Sequence, residues 1–182
     1  MANVTMLPWS RSLTRDDLDG IPEDGHRYEL VDGALVVTPS PAMRHQRASG
    51  RLFVALVQAC PAGLEVFAAP FDVVLTDDSV LQPDLLVARQ ADLTDANLPG
   101  APVLAVEILS PSTRRIDLLL KRSRYESAGC PNYWVIDPDE PSVIAWRLEN
   151  NRYVESGRTS GSDRLTLTSP FAVTIVPADL VV

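Results

Sequence analysis

The chain has 182 residues, of which 46% are hydrophobic and 22% charged, a composition typical of a soluble globular protein with a substantial core. Its formal net charge of −8 argues against coating of nucleic acid by bulk positive charge but leaves room for a local basic site. The sequence shows neither an apolar run long enough for a membrane span, nor a secretory signal, nor a metal-type spacing of Cys60 and Cys130. We therefore expect a reduced, cytoplasmic protein with no membrane contact.

The first third of the chain predicts a short helix, a hairpin and a long helix. Thr14 can cap the helix LTRDDLDG. The segment RYELVDGALVV has two β-rich runs around Asp32-Gly33, a pair favoured in two-residue hairpin turns. The long helix follows, with Ser40 as its cap, Pro41 in its first position and apolar residues at helical spacing up to residue 60.

The rest of the chain predicts strands on either side of another helix. Segments with strand composition are residues 65–76, 83–89, 103–109 and 132–137, a hairpin over 142–156, and short strands over 164–168 and 172–176. A polar loop is expected over 90–102, and a helix follows residue 112 and ends at Gly129. Its predicted inward stripe is Ile116, Leu119, Leu120, Ser123 and Ser127.

The order strand, strand, helix, strand in the middle of the chain implies an α/β fold built on a mixed β-sheet flanked by helices. The predicted hairpins add β-structure towards the N-terminal and C-terminal ends. There is no repeat and no linker, so we expect a single domain over residues 1–182, with residues 1–13 as a loosely ordered N-terminal segment.

Glu107 lies within VLAVEILS, a segment that otherwise reads as a buried strand. An isolated carboxylate in an apolar interior costs several kcal/mol unless it is paired, protonated or bound to a cation. Asp84 directly follows Pro83 and opens the preceding strand. Because neighbouring strands lie about 4.8 Å apart, carboxylates on two of them can share one metal ion. On its own strand, Glu107 shares a face with Ala105 and Leu109.

Further charged residues, from the last helix and from the first hairpin, are expected near this pair. Asp117, Lys121 and Arg124 fall in one sector of the helix beside its apolar stripe, and Glu29 interrupts the apolar strand YELV. Magnesium prefers oxygen ligands, lowers the pKa of a bound water and neutralises charge on a phosphate. A lysine adds a compact positive charge. The group therefore favours metal-dependent hydrolysis of a phosphate ester.

Simpler explanations exist for each residue taken alone. Asp84 could cap a turn, and Glu107 could form a buried ion pair with a basic residue of the next helix, namely Arg114, Lys121 or Arg124. The basic residues near positions 44–51 and 114–124 could simply form the solvated faces of two helices.

Several segments, in order and spacing, resemble the Uma family of bacterial proteins described as endonucleases. They are YELVDG, SPAMRHQ, QPDLLV, VEILSPST, DLLLKRSRYESAGCPNYWVIDP and RLTLTSPF, which together run from about residue 14 to the C-terminus. The family is placed in the PD-(D/E)XK nuclease superfamily, which has the restriction endonuclease-like fold. The resemblance implies a Mg²⁺ site, also open to Mn²⁺, at which DNA phosphodiester bonds are hydrolysed.

The resemblance also implies roles for particular residues. Asp84 and Glu107 match the metal ligands, and Glu29 matches an acidic residue of the N-terminal hairpin. The superfamily's lysine usually stands two residues after the second acid, where this chain has Leu109, but Lys121 matches a lysine that the Uma pattern carries on the following helix. The candidates for substrate binding are His45, Arg114, Arg124 and Tyr125.

Three functions are consistent with these features. The first is a metal-dependent DNA endonuclease, which could act as a homodimer so that both strands are cut. The alternative is a catalytically inactive relative that binds nucleic acid or a protein partner. The third is a metal-dependent phosphoesterase acting on RNA or nucleotides. The first requires the carboxylates of residues 84 and 107 to converge.

Overall fold

The computed structural model describes residues 5–7, 11–21 and 24–182. Its strands are β1 (Thr5–Leu7), β2 (Arg27–Val31), β3 (Ala34–Thr38), β4 (Leu64–Ala68), β5 (Asp72–Thr76), β6 (Ser79–Leu81), β7 (Leu85–Arg89), β8 (Asn97–Pro99), β9 (Leu104–Ile108), β10 (Asn132–Asp137), β11 (Ser142–Glu149), β12 (Arg152–Ser160), β13 (Leu165–Leu167) and β14 (Val173–Ile175). Its helices are α1 (Arg15–Asp19), α2 (Met43–Ala59), a π-helical segment (Ile116–Lys121) that runs directly into α3 (Arg122–Ser127), and 3₁₀ turns over Gln90–Asp92 and Pro177–Leu180. None of these helices is long and apolar enough to cross a membrane.

The strands form two mixed sheets of six strands each, where the sequence suggested one. The first sheet has the order β1-β3-β2-β6-β5-β8, with β5 and β8 parallel, and the second has the order β12-β11-β10-β9-β7-β4, with β9 and β10 parallel. β13 and β14 form a separate antiparallel pair. Within the predicted N-terminal segment, Thr5–Leu7 pairs with β3, while residues 1–4 and 8–10 lie outside the described ranges.

Both predicted hairpins are present. Between β2 and β3, Asp32 and Gly33 have φ angles of 53° and 72°. Between β11 and β12, Asn150 and Asn151 have φ angles of 49° and 61°. Two successive left-handed residues match the right-handed twist of the paired strands, which is why Asp-Gly and Asn-rich turns are favoured there.

The predicted strand over residues 65–76 is in fact two strands in different sheets. β4 belongs to the second sheet and β5 to the first, and Pro70, which has no N–H to continue a ladder, lies between them. The short strands β6 and β8 were not predicted. The chain returns from β6 to the second sheet through Gln82–Asp84, so that Asp84 lies where the backbone crosses between the sheets.

Helix α2 covers one face of the second sheet. It begins at Met43 after Ala42, two residues later than the predicted start at Pro41, and it has no side-chain cap. Its buried residues Ala48, Leu52 and Leu56 pack in one cluster with the β9 residues Leu104, Val106 and Ile108. The opposite face of β9, which carries Glu107, is therefore turned away from α2.

The predicted inward stripe of the last helix is confirmed for Ile116 and Leu120, which are partly buried against the core, and wrong for its other three residues. Leu119 is 60% exposed and Ser123 also lies at the surface, whereas Asp117, Lys121 and Tyr125 are buried. A π-helical turn contains more residues than an α-helical turn, so the sequence period of 3.6 misjudges which side chains share a face. Burial here follows the ion pairs of Asp117 and Lys121, and hydrophobic periodicity does not detect these.

Candidate active site

Asp84 and Glu107 lie opposite each other at the junction of β7 and β9. The two strands are antiparallel, with Leu85 opposite Val106. Continuing this register by one position places Asp84 opposite Glu107. The side chain of Glu107 lies on the face of β9 turned away from α2, whereas the carboxylate of Asp84 reaches His45 of α2. Asp84 Oδ2 also accepts a hydrogen bond of 2.8 Å from the backbone N–H of Ile108. The second sheet thus holds both carboxylates in adjacent positions.

Glu29 reaches the same region from the first sheet. It lies on β2, is fully buried, and accepts a hydrogen bond of 2.8 Å at Oε1 from the backbone N–H of Gln82. Gln82 belongs to the segment that ends at Asp84. The crossing between the sheets therefore brings Glu29 close to the pair on the second sheet.

Lys121 joins these carboxylates from the π-helical segment. Its Nζ lies 2.8 Å from Glu29 Oε1, 3.2 Å from Glu107 Oε1 and 3.8 Å from Asp117 Oδ1. It is the only lysine in the chain, and it is 1% exposed. Burial alone would lower the pKa of Lys121, but the neighbouring carboxylates raise it above its ordinary value. The ammonium is therefore held in its charged form.

Two other basic groups contact Asp84. Arg27 Nη1 lies 3.0 Å from Asp84 Oδ1, and His45 Nε2 lies 3.1 Å from Asp84 Oδ2. Burial would raise the pKa of Asp84, but the hydrogen bond and charge of His45, the charge of Arg27 and the Ile108 N–H together hold it well below its ordinary value. Asp84 is accordingly ionised.

Glu107 and Asp117 are shifted in the opposite direction. Burial, reinforced by the other carboxylates, raises the pKa of Glu107 well above its ordinary value despite the charge of Lys121. Burial likewise raises the pKa of Asp117 to about 6. The four carboxylates of the site, Glu29, Asp84, Glu107 and Asp117, face two permanent cations, Arg27 and Lys121. When all four are ionised, two negative charges remain, which protons or a bound cation can offset.

A cavity of about 670 Å³ opens beside this cluster. Asp84 and Asp117 line it, together with Arg27 and His45. Glu29, Glu107 and Lys121 are not part of the lining and lie behind it. The cluster therefore has one layer that faces the cavity and a second layer that is fully enclosed.

Comparison with known proteins identifies the family. The model of the Uma2 family, described as "Putative restriction endonuclease", matches residues 15–178. The chain belongs to the Uma2 family. A crystal structure described as "a putative nuclease belonging to DUF820 from Anabaena variabilis ATCC 29413" has a TM-score of 0.75 with this chain at 20% sequence identity, covering 92% of this chain and 97% of that one. The predicted fold class, a mixed α/β restriction endonuclease-like fold, is confirmed. A search of curated proteins finds no match.

The structure brings five of the predicted Uma2 site residues together and leaves three apart. Those in the cluster are Glu29, Asp84, Glu107, Lys121 and His45. Arg114 pairs with Asp137 at the end of β10, and Arg124 pairs with Asp32 in the β2–β3 turn at 3.0 Å. Tyr125 is fully buried, with its ring 5.4 Å from that of Tyr133. These three residues are not part of the cavity lining.

Two members of the cluster were not among the candidate site residues, namely Arg27 and Asp117, although the sequence placed Asp117 beside Lys121 on the helix. Arg27 lies two positions before Glu29 on β2, so the alternation of a strand puts both on one face. Asp117 lies four positions before Lys121, the spacing of helical neighbours. Both residues could have been found from the sequence, because a charged residue that shares a face with a buried charge is a candidate for an ion pair with it.

The donor set of this Uma2 chain fits a hard divalent cation. Within residues 11–21 and 24–182, no group of three or more His, Cys, Asp or Glu side chains forms a ready-made metal site. Mg²⁺, however, is usually bound by one or two protein carboxylates together with water and substrate phosphate. Asp84 and Glu107 provide such a pair, and with all four carboxylates ionised the remaining two negative charges of the cluster equal the charge of one Mg²⁺ or Mn²⁺ ion.

Proposed function

We propose that this Uma2 chain is a metal-dependent DNA endonuclease that hydrolyses phosphodiester bonds. Family membership and the nuclease-like fold support a nuclease. The observation that carries the finer assignment is the opposed pair Asp84 and Glu107, with the ammonium of Lys121 3.2 Å from Glu107. Acidic ligands and a buried cation at the end of a cavity are the groups that phosphoryl-transfer chemistry needs.

In this proposal, Asp84 and Glu107 would hold Mg²⁺, or Mn²⁺ in its place. Such an ion would supply a water of lowered pKa and a positive charge beside the phosphate. Asp84 is already ionised, whereas Glu107 must lose its proton to serve as a ligand. Metal binding therefore releases protons and strengthens as the pH rises.

Lys121 stabilises the negative charge that develops on the phosphate in the transition state. Its raised pKa keeps it protonated, so it acts as an electrostatic group and not as a base. Glu29 and Asp117 fix the position of Nζ, at 2.8 and 3.8 Å. Glu29 thus acts through Lys121, while Asp117 also faces the cavity.

Arg27 and His45 orient the phosphate at the cavity wall. Their side chains are 20% and 13% exposed, and both contact the carboxylate of Asp84. A guanidinium can bind two phosphate oxygens at once. Arg114 and Arg124, which are partly exposed, are proposed to contact the DNA outside the cavity. Tyr125, which is enclosed, would support the cluster from behind.

The experiment that tests this proposal is cleavage of circular single-stranded DNA and of duplex plasmid DNA by the purified protein in Mg²⁺, Mn²⁺ or EDTA. We expect cleavage of at least one of the two DNA forms with either ion, none in EDTA, and none with Asp84→Asn or Glu107→Gln. The matched controls are Asp95→Asn and Glu65→Gln at exposed positions, which should cleave at the parental rate. Cleavage in EDTA, or parental rates for both site variants, would contradict the proposal.

The catalytically inactive relative is the second candidate. It is favoured by the buried ion pairs, since Lys121 already pairs with Glu29 and Glu107, and by Leu109 at the position of the usual superfamily lysine. If the purified, folded protein binds DNA but cuts none in Mg²⁺ or Mn²⁺, this alternative is established.

A further inference from the structure

We infer that the cavity accepts a single DNA strand, or a nucleotide extruded from a duplex, and that an intact duplex cannot reach the site. This inference rests on the proposed function, because it assigns a substrate form to the same site. Three independent features of the cavity carry it: the depth of the charged cluster, the size of the cavity and the charge of its wall.

The charged cluster lies too deep for a phosphate on the surface of a duplex. Asp84 is 4% exposed, and Glu107 and Lys121 are each 1% exposed. The cluster meets the cavity through Asp84 and Asp117. A phosphate must therefore enter the cavity to contact Asp84 and Asp117 and to approach Glu107 and Lys121 behind them.

The cavity has the size of a site for one or two nucleotides. Its volume of about 670 Å³ corresponds to a cube about 9 Å on a side. A B-DNA duplex is wider than this cube, because its major groove alone is roughly 12 Å wide. Volumes of about 300–1,000 Å³ are typical of sites that enclose one small ligand. Enzymes that act on a residue inside a narrow pocket take a single strand or extrude the nucleotide from the helix.

The cavity wall carries little positive charge. Among the residues that line it, the permanent cation is Arg27, which is already paired with Asp84. His26 and His45 add charge only when protonated. Proteins that bind a duplex electrostatically neutralise many phosphates, often six to ten. This wall can neutralise one or two.

The remaining polar groups of the wall suit a short strand. Six hydroxyl side chains contribute to it: Thr38, Ser40, Ser49, Ser110, Ser112 and Thr113. Hydroxyl groups can donate to phosphate oxygens or accept from base edges without adding charge. Four prolines, Pro39, Pro41, Pro70 and Pro111, give the wall rigid apolar surface.

The first test is binding in EDTA, where the DNA stays intact. Fluorescence anisotropy would compare a short single strand, a blunt duplex of the same sequence, and that duplex with a central unpaired gap. We expect the single strand and the gapped duplex to bind at least about tenfold more tightly than the blunt duplex, because extrusion from a paired helix is costly. Equal or tighter binding of the blunt duplex, or no binding of any of the three, would overturn the inference.

A blocking variant with a matched control tests whether the cavity is the binding site. Gln46 and Gln58 are both exposed on α2, but only Gln46 lines the cavity. We expect Gln46→Trp to weaken single-strand binding at least about tenfold and Gln58→Trp to leave it unchanged, with equal melting temperatures showing that both fold. Full binding by a folded Gln46→Trp protein would place the strand elsewhere and refute the inference.

The salt dependence gives a second readout. Release of counterions from one or two phosphates in the cavity, and from up to two more at Arg114 and Arg124, gives a slope of log K against log salt of about −0.7 to −2.8 for a single strand. A slope steeper than about −4 would indicate an extended electrostatic surface, and it would contradict the inference.

Cleavage separates this inference from the proposed function. A protein that binds single strands selectively but cuts nothing in Mg²⁺ or Mn²⁺ supports the inference and refutes the endonuclease. A protein that cuts blunt duplex as fast as single strands supports the endonuclease and refutes the inference. Faster cutting of an RNA strand of the same sequence would refute the assignment to DNA.

Discussion

Lys121 is the residue on which the buried charges of this Uma2 protein depend. If it is replaced by Met, Glu29, Glu107 and Asp117 lose their shared cation. We expect Lys121→Met to lower cleavage at least about 100-fold and to lower the free energy of unfolding by about 3 kcal/mol in metal-free buffer. The destabilisation should be larger at pH 8 than at pH 5, because at the lower pH the carboxylates can take up protons instead. Chemical denaturation measures the effect on stability, and cleavage of single-stranded DNA measures the effect on activity.

A second substitution distinguishes catalysis from stability at this position. Glu29→Gln added to Lys121→Met removes one unpaired buried charge and should restore part of the stability but no cleavage. Arg115→Met, at an exposed position of the same helix, is the control and should match the parent in both. Parental cleavage by folded Lys121→Met would move the stabilising role to Arg27 or His45, which contact Asp84 and line the cavity.

Asp117 gives a pH-dependent prediction. Its pKa in the folded protein, about 6, lies above the ordinary value of 3.8, mainly because of burial. The folded state therefore binds more protons between these values, and the free energy of unfolding falls as the pH rises through that window. We expect Asp117→Asn to be more stable than the parent at pH 7, by on the order of 2 kcal/mol, and equal to it below about pH 4. Urea denaturation across this range tests it, and a less stable variant at pH 7 would show that the contact with Lys121 outweighs burial.

The π-helical segment decides which side chains the last helix turns inward. Deleting Leu119, which is 60% exposed, would shorten the turn towards an α-helix and rotate Lys121 relative to Asp117 by about 100°. We expect the deletion to abolish cleavage and lower the melting temperature. Leu119→Ala, which keeps the length of the turn, should do neither. A deletion variant with parental cleavage would show that the site does not need the π-helical turn.

The β2–β3 turn holds the strand that carries Glu29. A Cβ on Gly33 would lie 2.6 Å from Ser12 Cβ, and the φ of Gly33 is 72°. Gly63 has a φ of 85° with nothing within 4 Å of its Cβ position, so Gly63→Ala measures the backbone cost alone. We expect Gly63→Ala to cost about 1 kcal/mol and Gly33→Ala about 2 to 4 kcal/mol. Equal losses in thermal melts would mean that the chain near Ser12 moves aside.

For the whole molecule, the site joins the two sheets, so metal binding should stabilise the entire fold. A ligand that binds only the folded state at 100 times its Kd raises the free energy of unfolding by about 2.7 kcal/mol. We expect Mn²⁺ to raise the melting temperature of the parent and to leave Glu107→Gln unchanged. In metal-free buffer Glu107→Gln should be nearly as stable as the parent, since Lys121 keeps Glu29 at 2.8 Å. An equal Mn²⁺ effect on parent and variant would rule out Glu107 as a ligand.

Much of the site could be predicted because it depends on short stretches of backbone. The Asp32-Gly33 and Asn150-Asn151 turns fix their hairpins, and strand alternation puts Glu107 on the face away from α2. Gly129, with a φ of 80°, ends the last helix where predicted. Each of these features follows from the conformational limits of a few residues, so neighbours in sequence suffice to determine it.

By itself, the sequence determined the hairpins and the fold class, and it pointed to Glu29, Asp84, Glu107 and Lys121, which the structure brings together. Only the tertiary structure decided that residues 65–76 divide between two sheets, that Asp117, Lys121 and Tyr125 turn inward, and that Arg27 and His45 both contact Asp84. The reason is electrostatic as well as steric. A buried charge takes the position where its partners lie, and those partners come from strands and helices far apart in the chain, so no local period of hydrophobic residues can predict it.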